Sequence, residues 1–211
     1  MRKKEGSWSG GLSFRCSTHR FRDHIFLILS IMTLQLEKGQ TLNLNKEADK
    51  VLKKIRLGAG WDVADGKSVD LDLWLIPKGG SPLYYGAKSI PGAKLDGDDT
   101  TGGNSKDGAD ENVNIEVEKL EKDEYTVMIN IYNAVSKGQF FRDVKRAFVE
   151  VEDTEAKKMV FTYNISENGG DNFSLVVGKL VKKDGGLEFV AASEFSTKGV
   201  ETIVTEVGGK V

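Results

Sequence analysis

The amino-acid sequence predicts a mostly β protein: a β-sandwich with long acidic loops and a short C-terminal helix. Three observations carry that expectation. From Thr33 onward, β-branched and aromatic residues alternate with polar ones at period two, the spacing of half-buried strands. Turn-forming clusters such as Lys78-Gly79-Gly80, Glu167-Asn168-Gly169-Gly170 and Lys183-Asp184-Gly185-Gly186 divide the alternating stretches at short intervals. Only three prolines occur in 211 residues, so little interrupts strand pairing.

The strands are expected at 41–44, 53–57, 69–76, 83–85, 113–117, 125–131, 147–151, 159–165, 174–180 and 188–191. The stretch 69–76 alternates Asp70 and Asp72 with leucines, and 125–131 and 174–180 are rich in Val and Ile. Near the end, Val200, Ile203, Val204 and Val207 follow the i, i+3, i+4, i+7 spacing of a helix with one apolar face. That face should dock on the sandwich. Residues 86–111 fit neither template, and an unstructured stretch of that length inside a compact domain points to function.

Residues 32–211 read as a single domain, whereas 1–31 have a different character. The latter carry six Lys/Arg against Glu5 and Asp23, a balance of +4 in a chain of net charge −2, which leaves the rest at −6. The apolar run at 25–32 is short for a signal sequence, follows Asp23 directly and lacks a small-residue cleavage pattern. Residues 1–31 are therefore expected to be a disordered or misassigned N-terminal extension, with Met32 as the natural start. The acidic body argues against nucleic-acid binding, which needs basic surface to neutralise phosphates.

The positions of three residues narrow the chemistry further. Cys16, His19 and His24 are the only cysteine and histidines, and all lie before Met32. Beyond it there is no thiolate or imidazole nucleophile, no histidine base, no disulfide and no Cys/His zinc site. Nothing in the body calls for an oxidising compartment, and a cytoplasmic location is the expectation.

Against that background stands the segment 96–111, with six carboxylates (Asp96, Asp98, Asp99, Asp107, Asp110, Glu111) and four glycines. Packed together they would repel unless a cation lay between them. Hard divalent ions take such oxygens, and calcium accepts about six to eight of them. Thr100, Thr101 and Asn104 add neutral oxygens. The spacing is not that of an EF-hand, because the flanks are strands and no glutamate occupies the twelfth position. Gly60-Trp61-Asp62 and Asp70-Leu71-Asp72 could converge on the loop, and alternation puts Asp70 and Asp72 on one strand face. The competing reading is a solvated acidic loop. Trp61 and Trp74 read as core or rim packing rather than a ligand platform, and Phe140-Phe141-Arg142 as a core staple rather than a contact patch.

In order, Leu36-Glu37-Lys38-Gly39, Gly60-Trp61-Asp62, Asp70-Leu71-Asp72, Gly97-Asp98-Asp99 with Thr101-Gly102, Asp110-Glu111 and Gln139-Phe140-Phe141 resemble the TerD family of tellurium-resistance and stress-response proteins. The resemblance runs from Met32 to the C-terminus. Departures include an acidic loop about two residues longer, at Gly103-Asn104-Ser105-Lys106, and Leu73-Trp74 where small residues are common. The resemblance implies a non-enzymatic β-sandwich binding calcium, two ions by expectation, through Asp62, Asp70, Asp72, Asp98, Asp99, Thr101, Asp107, Asp110 and Glu111. It also implies a scaffold or sensor whose partners are other proteins of a stress-response assembly. Two other classes stand beside it. A C2-like calcium-dependent membrane module would need basic or apolar loop tips, and only Lys94 and Lys106 are near. An acid-pair hydrolase would use two carboxylates such as Asp70 and Asp98.

Overall fold

The computed structural model describes residues 36, 38–63, 68–97, 100–101, 108–165 and 169–211, all within the compact unit Met32–Val211. Residues 1–31, expected to form an N-terminal extension, and the turn expected at 64–66 lie outside the described residues. Among the described residues, eleven strands form two antiparallel sheets. The five-stranded sheet has the order β1 (Thr41–Asn43), β11 (Gly186–Ser196), β10 (Ser174–Lys183), β7 (Glu124–Ile131) and β3 (Leu71–Pro77). The six-stranded sheet has the order β4 (Ser89–Ile90), β5 (Ala93–Asp96), β6 (Glu111–Glu116), β2 (Lys54–Val63), β8 (Val144–Asp153) and β9 (Lys158–Ile165).

Alternation explains the core. Leu71, Leu73 and Leu75 of β3 join Val127, Ile129 and Ile131 of β7 in one cluster with Leu57, Ala59 and Trp61 of β2 and Val149 and Val151 of β8. Burying each large aliphatic side chain contributes roughly 1.5–3 kcal/mol against solvent exposure. Phe141 belongs to this core and meets Phe195 edge-on at 5.2 Å, as a staple should.

The opposite face of the five-stranded sheet is also covered. Trp74, Ile76, Met128 and Val176 pack against Ile203 and Val204 of the C-terminal helix α3 (Val200–Glu206), which follows the short helices α1 (Leu44–Glu47) and α2 (Ala134–Lys137). The expected apolar face therefore docks where the spacing placed it. Backbone bonds fasten the chain beyond α3: Gly79 N–H donates to the Gly208 carbonyl at 2.7 Å, and Lys210 N–H to the Gly80 carbonyl at 2.8 Å. With both faces covered, every residue of β3 is buried.

Two expectations are corrected. The segment 86–111 contains the short strands β4 and β5, because Ala93 and Leu95 alternate inward and pair with Ile115 and Val113 of β6. The strand expected at 83–85 reduces to a bridge, in which Leu83 and Leu75 exchange backbone hydrogen bonds at 2.9 and 3.0 Å on the free edge of β3. Tyr84 then forms its own bridge with Ala87 and stacks on Trp74, while Tyr85 lies edge-on to Tyr84.

Candidate functional site

The end of β2, the approach to β3 and the start of β6 are tied together by side chains of the predicted acidic motifs. Strands β2 and β6 pair as far as Ala59 opposite Glu111, and Asp110 N–H donates to the Ala59 carbonyl at 2.9 Å. Two residues farther along β2, the Trp61 N–H donates to Asp110 Oδ2 at 2.9 Å. The fully buried Trp61 ring crosses to the next segment, its indole N–H donating to the Val69 carbonyl at 2.8 Å. Glu111 reaches out of the six-stranded sheet altogether. Its Oε2 accepts the Leu73 N–H of β3 at 2.6 Å, and the side chain is only 1% exposed.

Glycines make this convergence possible. On the outer face of the six-stranded sheet, a Cβ at Gly60 would stand 2.3 Å from the Phe148 ring. A Cβ at Gly58 would stand 2.5 Å from that of Ala109, the residue leading into Asp110. Beside Gly58, buried Glu150 accepts a hydrogen bond from the Ala109 amide. Burial pushes the Glu150 carboxyl above its ordinary range; Arg56 draws it back, Glu152 adds to the rise, and the Ala109 bond lowers it.

The remaining predicted residues are distributed as follows. Asp62, at the end of β2, holds Arg146 Nε at 3.0 Å. Asp70 lies just before β3, with Lys137 Nζ 3.8 Å away. Part of the countercharge that these carboxylates require is thus the protein's own. Asp72 is 3% exposed on the outward face of β3, directly opposite Asn130 of β7. Thr101 is exposed. Asp98, Asp99 and Asp107 lie outside the described residues. Among the described residues, no three Asp, Glu, His or Cys side chains stand close enough together to hold a metal ion.

Sequence reasoning did not single out Asn130 or Glu150. Each is a polar residue inside an apolar strand run, Ile129-Asn130-Ile131 and Val149-Glu150-Val151, and period-two alternation assigns such residues to solvent. Both are buried: α3 and the Tyr84–Tyr85 turn flank Asn130, and the segment leading into Asp110 lies against Glu150.

The donor chemistry at the loop base is all oxygen, and β5 and β6 return the chain to its starting point, with Asp96 opposite Asn112. The chain is similar to several known proteins. General stress protein 16U of Bacillus subtilis (strain 168) is 28% identical over 193 residues, covering 85% of this chain and all of that protein. Tellurium resistance protein TerD of Serratia marcescens is 26% identical, over 84% of this chain and 98% of its own. Tellurium resistance protein TerZ of Serratia marcescens is 30% identical, over 75% and 88%. The crystal structure of a homologue of telluride resistance protein (TerD) from Streptomyces coelicolor A3(2) superposes with a TM-score of 0.58 at 18% identity, covering 75% of this chain and 98% of that one, a likeness of fold. The family model of the TerD domain matches residues 32–206, and the chain belongs to the TerD domain family.

Proposed function

We propose that this chain is a non-enzymatic, calcium-binding member of a cytoplasmic tellurium-resistance and stress-response system, acting on other proteins as a scaffold or sensor. The observation that carries the reading is the tie between Asp110 and Trp61 and between Glu111 and Leu73, which brings three acidic motifs to one end of the sandwich. A carboxylate has about four acceptor positions, so holding one amide leaves capacity for a cation. The metal set would be Asp62, Asp70, Asp110 and Glu111 from the framework, completed by Asp98, Asp99, Thr101 and Asp107 of the loop; Asp72 borders it. Bound calcium would supply the positive charge that offsets mutual repulsion of these carboxylates. The chain's own part is to fix Asp110 and Glu111 through backbone amides and to close the loop on strands β5 and β6. The names of the relatives support the stress-response assignment. The absence of His and Cys beyond residue 31 supports a non-enzymatic role.

A thermal-shift titration tests this reading. Free calcium at a hundred times its Kd adds about 2.7 kcal/mol of stability relative to EDTA. Asp98→Ala should abolish the shift, and Asp123→Ala, on an exposed turn, should leave it. An unmoved melting temperature in calcium would sink the metal reading.

A further inference from the structure

On the outward face of the five-stranded sheet, between α3 and the Tyr84–Tyr85 turn, lies a cleft of about 520 Å³. That is within the range of small-molecule sites, roughly 300–1,000 Å³. Its floor is the cross-strand pair Asp72 and Asn130. Asn130 is 7% exposed, and its Oδ1 has no hydrogen-bond partner among the described residues. Aromatic rings form the wall. Trp74 stacks on Tyr84 with ring centroids 4.1 Å apart and planes at 3°, and Tyr85 lies edge-on to both Tyr84 at 5.2 Å and Tyr132 at 5.5 Å. Glu201 of α3 and Lys210 face the cleft from the other side.

The chemistry of this lining selects its occupant. The unpartnered Asn130 Oδ1 calls for a ligand that donates a hydrogen bond, and the negative charge of the neighbouring carboxylate favours a cationic one. An anion would meet Asp72 and Glu201, and a hydrocarbon would leave Asn130 Oδ1 buried without a donor. The faces of aromatic rings are negative and attract ammonium groups. Lys137 already shows this outside the cleft, with Nζ 5.0 Å from the Tyr132 ring centroid. The Tyr85 hydroxyl is raised above its ordinary value by burial first, and then by Tyr132 and Asp72.

We infer that the cleft binds a small organic ammonium compound. Its N–H groups donate to Asn130 Oδ1 and the Asp72 carboxylate, and its alkyl body lies against the tyrosine rings. This goes beyond the calcium reading and does not depend on it.

The test uses the full chain and three probes of equal length: butane-1,4-diamine, the neutral butane-1,4-diol and the dianion succinate. Binding is followed by calorimetry and tryptophan fluorescence, in EDTA and again in calcium. Saturable binding of the diamine at least about tenfold tighter than the diol, with succinate silent, is the expected result. Asp72→Asn and Asn130→Leu should each weaken the diamine by about tenfold or more. If either variant folds poorly, Tyr132→Leu decides, because Tyr132 lies on the exposed rim and its loss should weaken binding about three- to fivefold. Equal affinity for diamine and diol overturns the inference, as does wild-type affinity in all three variants. The two readings fail separately: Asp110→Asn should reduce the calcium shift and leave diamine affinity unchanged. Diamine binding that disappears in EDTA would also overturn the inference.

Discussion

Glu111 on β6 accepts the backbone N–H of Leu73 on β3 at 2.6 Å, so one buried carboxylate joins the two sheets of the sandwich at the base of the acidic loop. Replacing it with alanine strands a buried amide, at a cost of about 1–3 kcal/mol. Glutamine keeps an acceptor at the same reach. Urea unfolding in EDTA should therefore rank wild type and Glu111→Gln close together, with Glu111→Ala well below; equal midpoints for Gln and Ala would disprove the clamp.

Asp110 separates two roles that usually coincide. Its Oδ2 takes the Trp61 amide at 2.9 Å, a task that an asparagine oxygen performs as well. Asp110→Asn should lower the melting temperature in EDTA by no more than about 4 °C, since a neutral acceptor in place of a charged one costs about 1 kcal/mol. Its calcium-induced shift should fall by at least half, because the variant lacks the charge. A calcium shift equal to that of wild type would remove Asp110 from the metal set.

At Gly60 the constraint is spatial. A methyl group would stand 2.3 Å from the Phe148 ring, so Gly60→Ala should destabilise the fold by about 1–3 kcal/mol, as overpacking does. Phe148→Leu should recover part of that loss. A double-mutant cycle with no coupling between the two positions would refute the contact as the cause.

Glu150 gives a pH dependence. Its folded carboxyl titrates above its unfolded value, chiefly through burial, so the folded state binds the extra proton. Stability attributable to this group is present at acid pH and is lost as pH rises from the unfolded value, about 4.3, through the raised folded one. Glu150→Gln removes that loss and should be more stable than wild type at pH 7. The gap should close below about pH 4. A constant difference across the range would show that burial of the charge is not the cause.

Period-two alternation made most of the sandwich legible, and i, i+3, i+4, i+7 spacing located α3. Strands β4 and β5 escaped notice because they span only two and four residues, too few for a period to register. Pro91-Gly92 between Ile90 and Ala93 was the available signal, a turn dipeptide flanked by apolar residues. For the candidate site, the acidic motifs pointed to Asp110 and Glu111, whose side chains accept backbone amides of β2 and β3. Their detailed work depends on register: Glu111 meets Leu73 across the gap between sheets, and Asn130 meets Asp72 across a ladder. No local pattern encodes either meeting. Lys137 and Arg146 were likewise hidden, because a lone basic residue in sequence says nothing about which carboxylate it will reach.

The bridge between Leu75 and Leu83 has a consequence for behaviour in a crowded solution. Strand β3 ends its sheet, and an exposed row of amides and carbonyls there would offer a template to any neighbouring chain. Leu83 occupies both backbone groups of Leu75, and Glu111 holds the amide of Leu73 two residues away. Those positions are closed to intermolecular strand addition. Breaking either contact should therefore shorten the protein's soluble lifetime by more than its folding free energy alone suggests, with aggregation starting at β3.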